Sequence, residues 1–171
     1  MKRIAMILLI TCSVIISGCG ANIQKEKGKA ETSAEEAFNA SPEKADSKAK
    51  DIRFHLPSGF EVTEKTPNNI VLKRNTQPFV LFYNPKESRD SQVIYKLAKE
   101  SGHDFLTDKI YEDKNRFGYL LISEVDGELY EVSVGIGGVK LTTETSAKKL
   151  ENDARDMMTL VSSVKNKKSK D

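Results

Sequence analysis

The chain has 171 residues, 38% hydrophobic and 30% charged, which suits one globular domain with extensions and excludes collagen, coiled-coil rods and multispan membrane proteins. Seven Phe and five Tyr with no Trp can fill a modest core but leave little for a base-stacking surface, so no nucleic-acid partner is expected. The formal charge of +2 resides in Lys2 and Arg3. Without them 25 basic side chains face 25 acidic ones, and steering toward DNA or anionic lipid loses its basis.

Lys2 and Arg3 precede an apolar run over residues 4–16, broken only by Thr11, Cys12 and Ser13 and followed by the small residues Ser17 and Gly18. That is the layout of an export signal. Thirteen residues make roughly 20 Å of helix, short of a hydrocarbon core of about 30 Å, so the run is expected to be cleaved rather than to span. Its end, Ile16-Ser17-Gly18-Cys19, resembles the lipobox of bacterial lipoproteins. The resemblance implies cleavage after Gly18 and lipidation of Cys19, which becomes the mature N-terminus. A thiol takes the diacylglyceryl group as a thioether, and Gly18 leaves room at the scissile bond. Two acyl chains, each methylene worth about 0.8 kcal/mol in the bilayer, make the anchor durable. Cys12 leaves with the signal, so no disulfide framework or cysteine metal site is expected in the mature chain. Lysines outnumber arginines 21 to 6, a usage that resembles low-GC Gram-positive bacteria. The expected location is the extracytoplasmic face of the cell membrane.

Residues 1–18 thus read as a signal peptide, 19–50 as a lipidated cysteine and disordered tether, 51–164 as the globular domain and 165–171 as a basic disordered tail. Residues 20–50 hold seven Ala, six Lys and six acidic side chains, with Ile23 and Phe38 the only large apolar ones. This average composition predicts a spacer with a reach of roughly 30 Å. A transient helical turn over Glu31 to Phe38 is the alternative.

Within the domain, residues 52–56, 60–65, 70–74 and 79–83 carry strand patterns separated by Pro57-Ser58-Gly59, Pro67-Asn68-Asn69 and a break at Gln77-Pro78. They predict an antiparallel meander ended by Asn84-Pro85. Residues 88–100 place Val93, Ile94, Leu97 and Ala98 on one helical face, with a stop at Ser101-Gly102. A strand over 105–112 follows. Asp126-Gly127 then suits a type I′ hairpin turn. Pairing Val125 with Glu128 would set Leu121, Tyr119 and Phe117 opposite Val132, Val134 and Ile136 on one face, leaving Leu120 and Ile122 on a half-apolar one. A last helix over 146–164, capped by Thr145 or Ser146, puts Ala147, Leu150, Ala154, Met157, Val161 and Val164 on the sheet and Glu151, Asp153 and Asp156 in water. The expected fold class is α+β, an antiparallel sheet of about six to seven strands packed with two helices.

The order of strands, helix, three strands and helix, with Phe54-His55-Leu56-Pro57-Ser58-Gly59-Phe60 near the start and Met158-Thr159-Leu160-Val161-Ser162-Ser163-Val164-Lys165 near the end, resembles the PsbP-like α/β/α fold. The resemblance implies a binding or assembly module without catalysis. Phe60 stands where that family often has Trp, and no ligand residue is carried over.

Chemistry-bearing residues are few. His55 reads as a strand-surface side chain. His103, beside Asp104 and not far from Asp108, is the group on which an envelope hydrolase or transferase would depend. Ser133 lacks the Gly-x-Ser-x-Gly elbow. Gly135-Ile136-Gly137-Gly138 lacks the Lys-Ser/Thr ending of a phosphate loop, and Asp108, Glu112, Asp113 and Asn115 do not match an EF-hand. No catalytic, cofactor or metal residue is therefore assigned. The expectation is a membrane-anchored module that binds an envelope protein or cell-wall polymer. The alternatives are the enzyme just named and a small-molecule or ion carrier with its site near Leu120 and Ile122.

Overall fold

The computed structural model describes residues 22–49, 51–100, 102 and 104–166. The expected signal peptide, lipobox and Cys19 lie outside the described residues, as do His103 and the end of the basic tail. A first helix, α1 (Ile23–Asn39), leads to two short strands, β1 (Ser47–Ala49) and β2 (Ile52–Phe54). The meander follows as β3 (Phe60–Lys65), β4 (Asn69–Arg74) and β5 (Gln77–Tyr83), then a short helix α2 (Val93–Lys99). Four long strands come next: β6 (Phe105–Glu112), β7 (Phe117–Asp126), β8 (Leu129–Ile136) and β9 (Val139–Ser146). A 3-10 turn (Ala147–Lys149), α3 (Leu150–Ser163) and β10 (Lys165–Asn166) complete the order. Seven strands form one antiparallel sheet in the order β3-β4-β5-β9-β8-β7-β6, and β1-β2-β10 form a small second sheet. The fold is α+β, as the sequence patterning predicts.

The disordered tether differs most from expectation. Residues 23–39 form a helix whose start is capped by Asn22, its Oδ1 accepting from the backbone N–H groups of Gln24 (3.1 Å) and Lys25 (3.4 Å). Ala30, Ala34 and Phe38 recur at four-residue spacing and are wholly buried against α3 and the sheet. The Phe38 ring sits over Gly118, where an added Cβ would lie 2.7 Å from it, and stacks on Tyr111 at 5.8 Å. Arg116 covers its other side at 4.4 Å. Tyr111 donates its hydroxyl to the Glu31 carbonyl, and Thr107 donates to the Glu31 carboxylate, each at 3.0 Å. Further along the supposed spacer, Asp46 accepts from the Leu56 backbone N–H at 2.9 Å and meets His55 Nδ1 at 2.7 Å. Those contacts hold its carboxyl below the usual range, the Leu56 N–H foremost. Lys165 and Asn166 likewise leave the expected tail to pair with Arg53 and Ile52.

Four smaller differences from the expected pattern bear on the site. Gln77-Pro78 is not a break: β5 begins at Gln77, and the turn falls two residues earlier, at Asn75-Thr76, with Asn75 at φ 55°. Gly137-Gly138 is a hairpin turn, because β9 follows it, a strand the sequence patterning does not reveal. The β7–β8 pairing is displaced by one: Asp126 pairs with Leu129 around Gly127-Glu128, and a bulge lies between Glu124 and Asp126. Every β7 side chain then changes face relative to β8. Leu120 and Ile122 join Val132, Val134 and Ile136 in the main core beneath α1 and α3, while Phe117, Tyr119 and Leu121 take the opposite face. Asp153, expected in water, is wholly buried: Arg74 Nη2 meets its Oδ1, and Gln77 Nε2 donates to its Oδ2 at 2.9 Å. Arg74 also reaches Asp156 at 2.9 Å and lies over the Phe60 and Phe79 rings.

Two substitutions test this packing. Phe38→Ala should lower stability by about 3 kcal/mol or more in urea denaturation, the cost of emptying a buried aromatic site, whereas a solvated spacer would give no change. Asp153→Ala should cost a similar amount, roughly 3 kcal/mol or more, because Arg74 is left without its buried partner.

Candidate functional site

The two faces of the large sheet are treated differently. One is sealed by α1 and α3. On the other, the covering element is the seven-residue α2, which rests near the β6–β7 edge. Tyr95 anchors it, its ring packed against Phe117 and Tyr119 with centroids 5.3 Å away in both cases. The Tyr119 ring lies flat across Gly135, where a Cβ would come within 2.4 Å, so glycine at that position lets the aromatic floor form. Tyr95 donates its hydroxyl to Asp108 at 2.9 Å, and Lys99 meets the same carboxylate at 2.5 Å while its ammonium stands 4.9 Å over the Phe105 ring. Burial first, and the bond to Asp108 second, push the Tyr95 hydroxyl up to about 12.

Between α2 and the uncovered strands lies a groove of about 580 Å³, within the usual range for ligand sites. Its floor comes from β5, β9, β8 and β7 through Val80, Phe82, Thr142, Ser133 and Leu121, and its wall from Ile94, Leu97 and Ala98. Ser133 and Thr142 share a hydroxyl hydrogen bond of 2.9 Å across the β8–β9 pairing. Glu131 and Lys140 add one charge of each sign. Val80 (43%), Val93 (45%) and Leu97 (58%) remain exposed around it, a concentration of aliphatic side chains on an open face. Chemically the groove can hold an apolar group and orient it with hydroxyls. Ser133 is committed to Thr142, not to a base.

Among the described residues, those singled out in the sequence do not assemble into one cluster, and His103 lies outside them. Asp104 is exposed, and Asp108 is held by Tyr95 and Lys99 on the α2 side of the sheet. Asp113 accepts from the Asn115 backbone N–H at 2.9 Å and from Arg116 Nε at 2.7 Å, which keeps its carboxyl below the usual range, the Asn115 bond foremost. No group of three His, Cys, Asp or Glu able to hold a metal ion occurs among the described residues. The site expected near Leu120 and Ile122 is displaced, since both are buried under the helices; the half-apolar face carries Leu121 and Ser133 instead. The groove is not visible in the local sequence pattern because its residues come from six strands and a helix. The face assignment depends on one bulge.

The Tyr95 attachment has a pH signature. The neutral phenol is favoured in the fold, with a value near 12 against an ordinary 10, so its contribution is complete below about pH 10 and is lost as pH rises toward 12. Absorbance titration should show one tyrosinate transition near pH 12 that disappears in Tyr95→Phe and shifts downward in Asp108→Asn; an unaltered curve in both variants would contradict the assignment.

No family model and no curated protein matches the sequence. Among solved structures, cyanobacterial PsbP (CyanoP) from Synechocystis sp. PCC 6803 is similar with a TM-score of 0.45 and 10% identity, over 68% of this chain and 86% of that one. A Bacteroides thetaiotaomicron VPI-5482 protein is similar with a TM-score of 0.33 and 9% identity, over 69% of this chain and 46% of that one. Both are likenesses at low identity, and neither carries a function to this chain.

Proposed function

We propose that this protein is a lipid-anchored extracytoplasmic lipoprotein of PsbP-like fold that binds an envelope protein through the groove beside α2. The observation that carries the anchoring is the run Ile16-Ser17-Gly18-Cys19 at the end of a short apolar segment behind Lys2 and Arg3. The PsbP-like assignment rests on the order of elements and the segment from Phe54 to Phe60. Among the described residues no helix is long and apolar enough to cross a membrane.

The groove favours a protein partner over a cell-wall polymer. An anionic polymer calls for a basic track, and Lys140 is offset by Glu131. A glycan calls for exposed aromatic platforms, whereas the exposed rim is aliphatic and the chain has no Trp. An apolar side chain from a protein, seated against Val80 and Leu97 with Ser133 and Thr142 as polar contacts, matches what is present.

Cys19→Ala should release the protein from the membrane fraction and abolish fatty-acid labelling; unchanged fractionation and labelling would refute the anchor. For the groove, a photo-crosslinking residue at Val80 on intact cells should give a discrete protein adduct that Leu97→Asp removes. The latter lies on the surface and should alter stability by no more than about 0.5 kcal/mol. An anchored, folded protein that gives no adduct would sink the groove reading, and a co-purifying apolar small molecule would favour the carrier alternative.

A further inference from the structure

We infer that the folded body sits directly on the bilayer, with the end that carries the start of α1 against the headgroups, rather than being held away on a spacer. The inference rests on the lipid attachment at Cys19 proposed above. Four peptide steps separate Cys19 from Ile23, the first residue of α1, and four steps extend at most roughly 14 Å. The polar layer on each side of the hydrocarbon core accounts for roughly 5 to 8 Å of that. Little slack is left.

Such a short connection orients the domain only if α1 is part of the body, and its contacts make it so. Ala30, Ala34 and Phe38 are buried, Glu31 is held by Thr107 and Tyr111, and Lys29 reaches Glu151 on α3 at 3.9 Å. The direction of α1 is equally well fixed. Its seventeen residues run about 25 Å, from the end where the 3-10 turn at Ala147–Lys149 lies to the end where Phe38 meets Arg116 and Gly118. Leu129 pairs with Ser146 beside that 3-10 turn, so the β7–β8 hairpin projects from the same end as the start of α1.

The bilayer-facing end therefore comprises the first turn of α1, the exposed Lys148 and Lys149, and the hairpin with Val125 (50% exposed) and Leu129 (43% exposed). Its charges are mixed, since Glu124, Asp126 and Glu128 on the hairpin oppose the lysines. Attraction to anionic lipid is thus not what holds it there; the covalent connection is. The opposite end, with the turn at Asp113 to Arg116, points away from the membrane.

Mature lipidated protein in vesicles of phosphatidylcholine and phosphatidylglycerol tests this. The mature chain has no cysteine besides Cys19, so Lys148→Cys and Lys114→Cys accept a fluorophore singly. Quenching by headgroup-labelled lipid should be several-fold stronger at residue 148 than at residue 114, and a long Gly-Ser insert between Cys19 and Asn22 should bring the two close to parity. Equal quenching without the insert would overturn the orientation, and a difference that survives the insert would overturn the role of the short connection. Mass spectrometry of the same sample separates the two proposals: a bare Cys19 thiol means the anchor itself is wrong.

Discussion

The architecture turns on the seating of one phenyl ring. Phe38 fits over β7 because residue 118 has no side chain, and the ring is clasped by Tyr111 on one side and Arg116 on another. With α1 lying there, α3 has a helical neighbour along its length, and the pair excludes water from Leu120, Ile122, Val132, Val134 and Ile136. Were the helix absent, the Ala30, Ala34 and Phe38 contacts would leave a strip of sheet and α3 wet, at about 25 cal/mol for each Å² of apolar surface uncovered. An N-terminal segment rich in Ala, Lys and Glu thereby becomes half of the covering layer.

A second constraint is the bulge at Val125. A two-residue turn without it would have sent Leu121, Tyr119 and Phe117 beneath the helices and exposed Leu120 and Ile122. The extra residue reverses both assignments. The aromatic pair then lies on the open face, where Gly135 leaves space for the Tyr119 ring and where Tyr95 can stack on it. The groove follows from that choice, since α2 rests on this face through Tyr95 against Phe117 and Tyr119. Burial raises the Tyr119 hydroxyl well above its ordinary value, as expected for a phenol enclosed by rings and backbone.

These two features also explain which parts were legible in the sequence. The strands of the meander, the stripe of α3 and the approximate place of the β7–β8 hairpin follow from local periodicity and turn chemistry, although the hairpin loop is Gly127-Glu128 rather than Asp126-Gly127 and the β4–β5 turn precedes Gln77-Pro78. Helix α1 was carried by periodicity too, in the spacing of Ala30, Ala34 and Phe38, but small alanines among many charges vanish in an average taken over thirty residues. Asp153 lies three residues from Leu150 and four from Met157, on the buried stripe; what makes a carboxylate tolerable there is Arg74 and Gln77, more than seventy residues away in the chain. Strand β9 alternates Leu141, Thr143 and Thr145 inward, a pattern too polar to stand out. The groove was least legible, since it needs the bulge and the full strand order together.

The division of labour between the faces has a dynamic consequence. The helix-covered face is tied by aromatic stacking, by the buried Asp153 cluster and by long apolar contacts, and so belongs to the most stable part of the fold. In α2 the one buried residue is Ile94, and what fixes the helix besides is a tyrosine stack and two bonds to a partly exposed carboxylate. It opens at lower cost than the helix-covered face. A partner's side chain entering beside Leu97 would have to displace only α2, leaving α1 and the proposed anchor at its start undisturbed, so the protein could adapt to its ligand without changing its posture on the membrane.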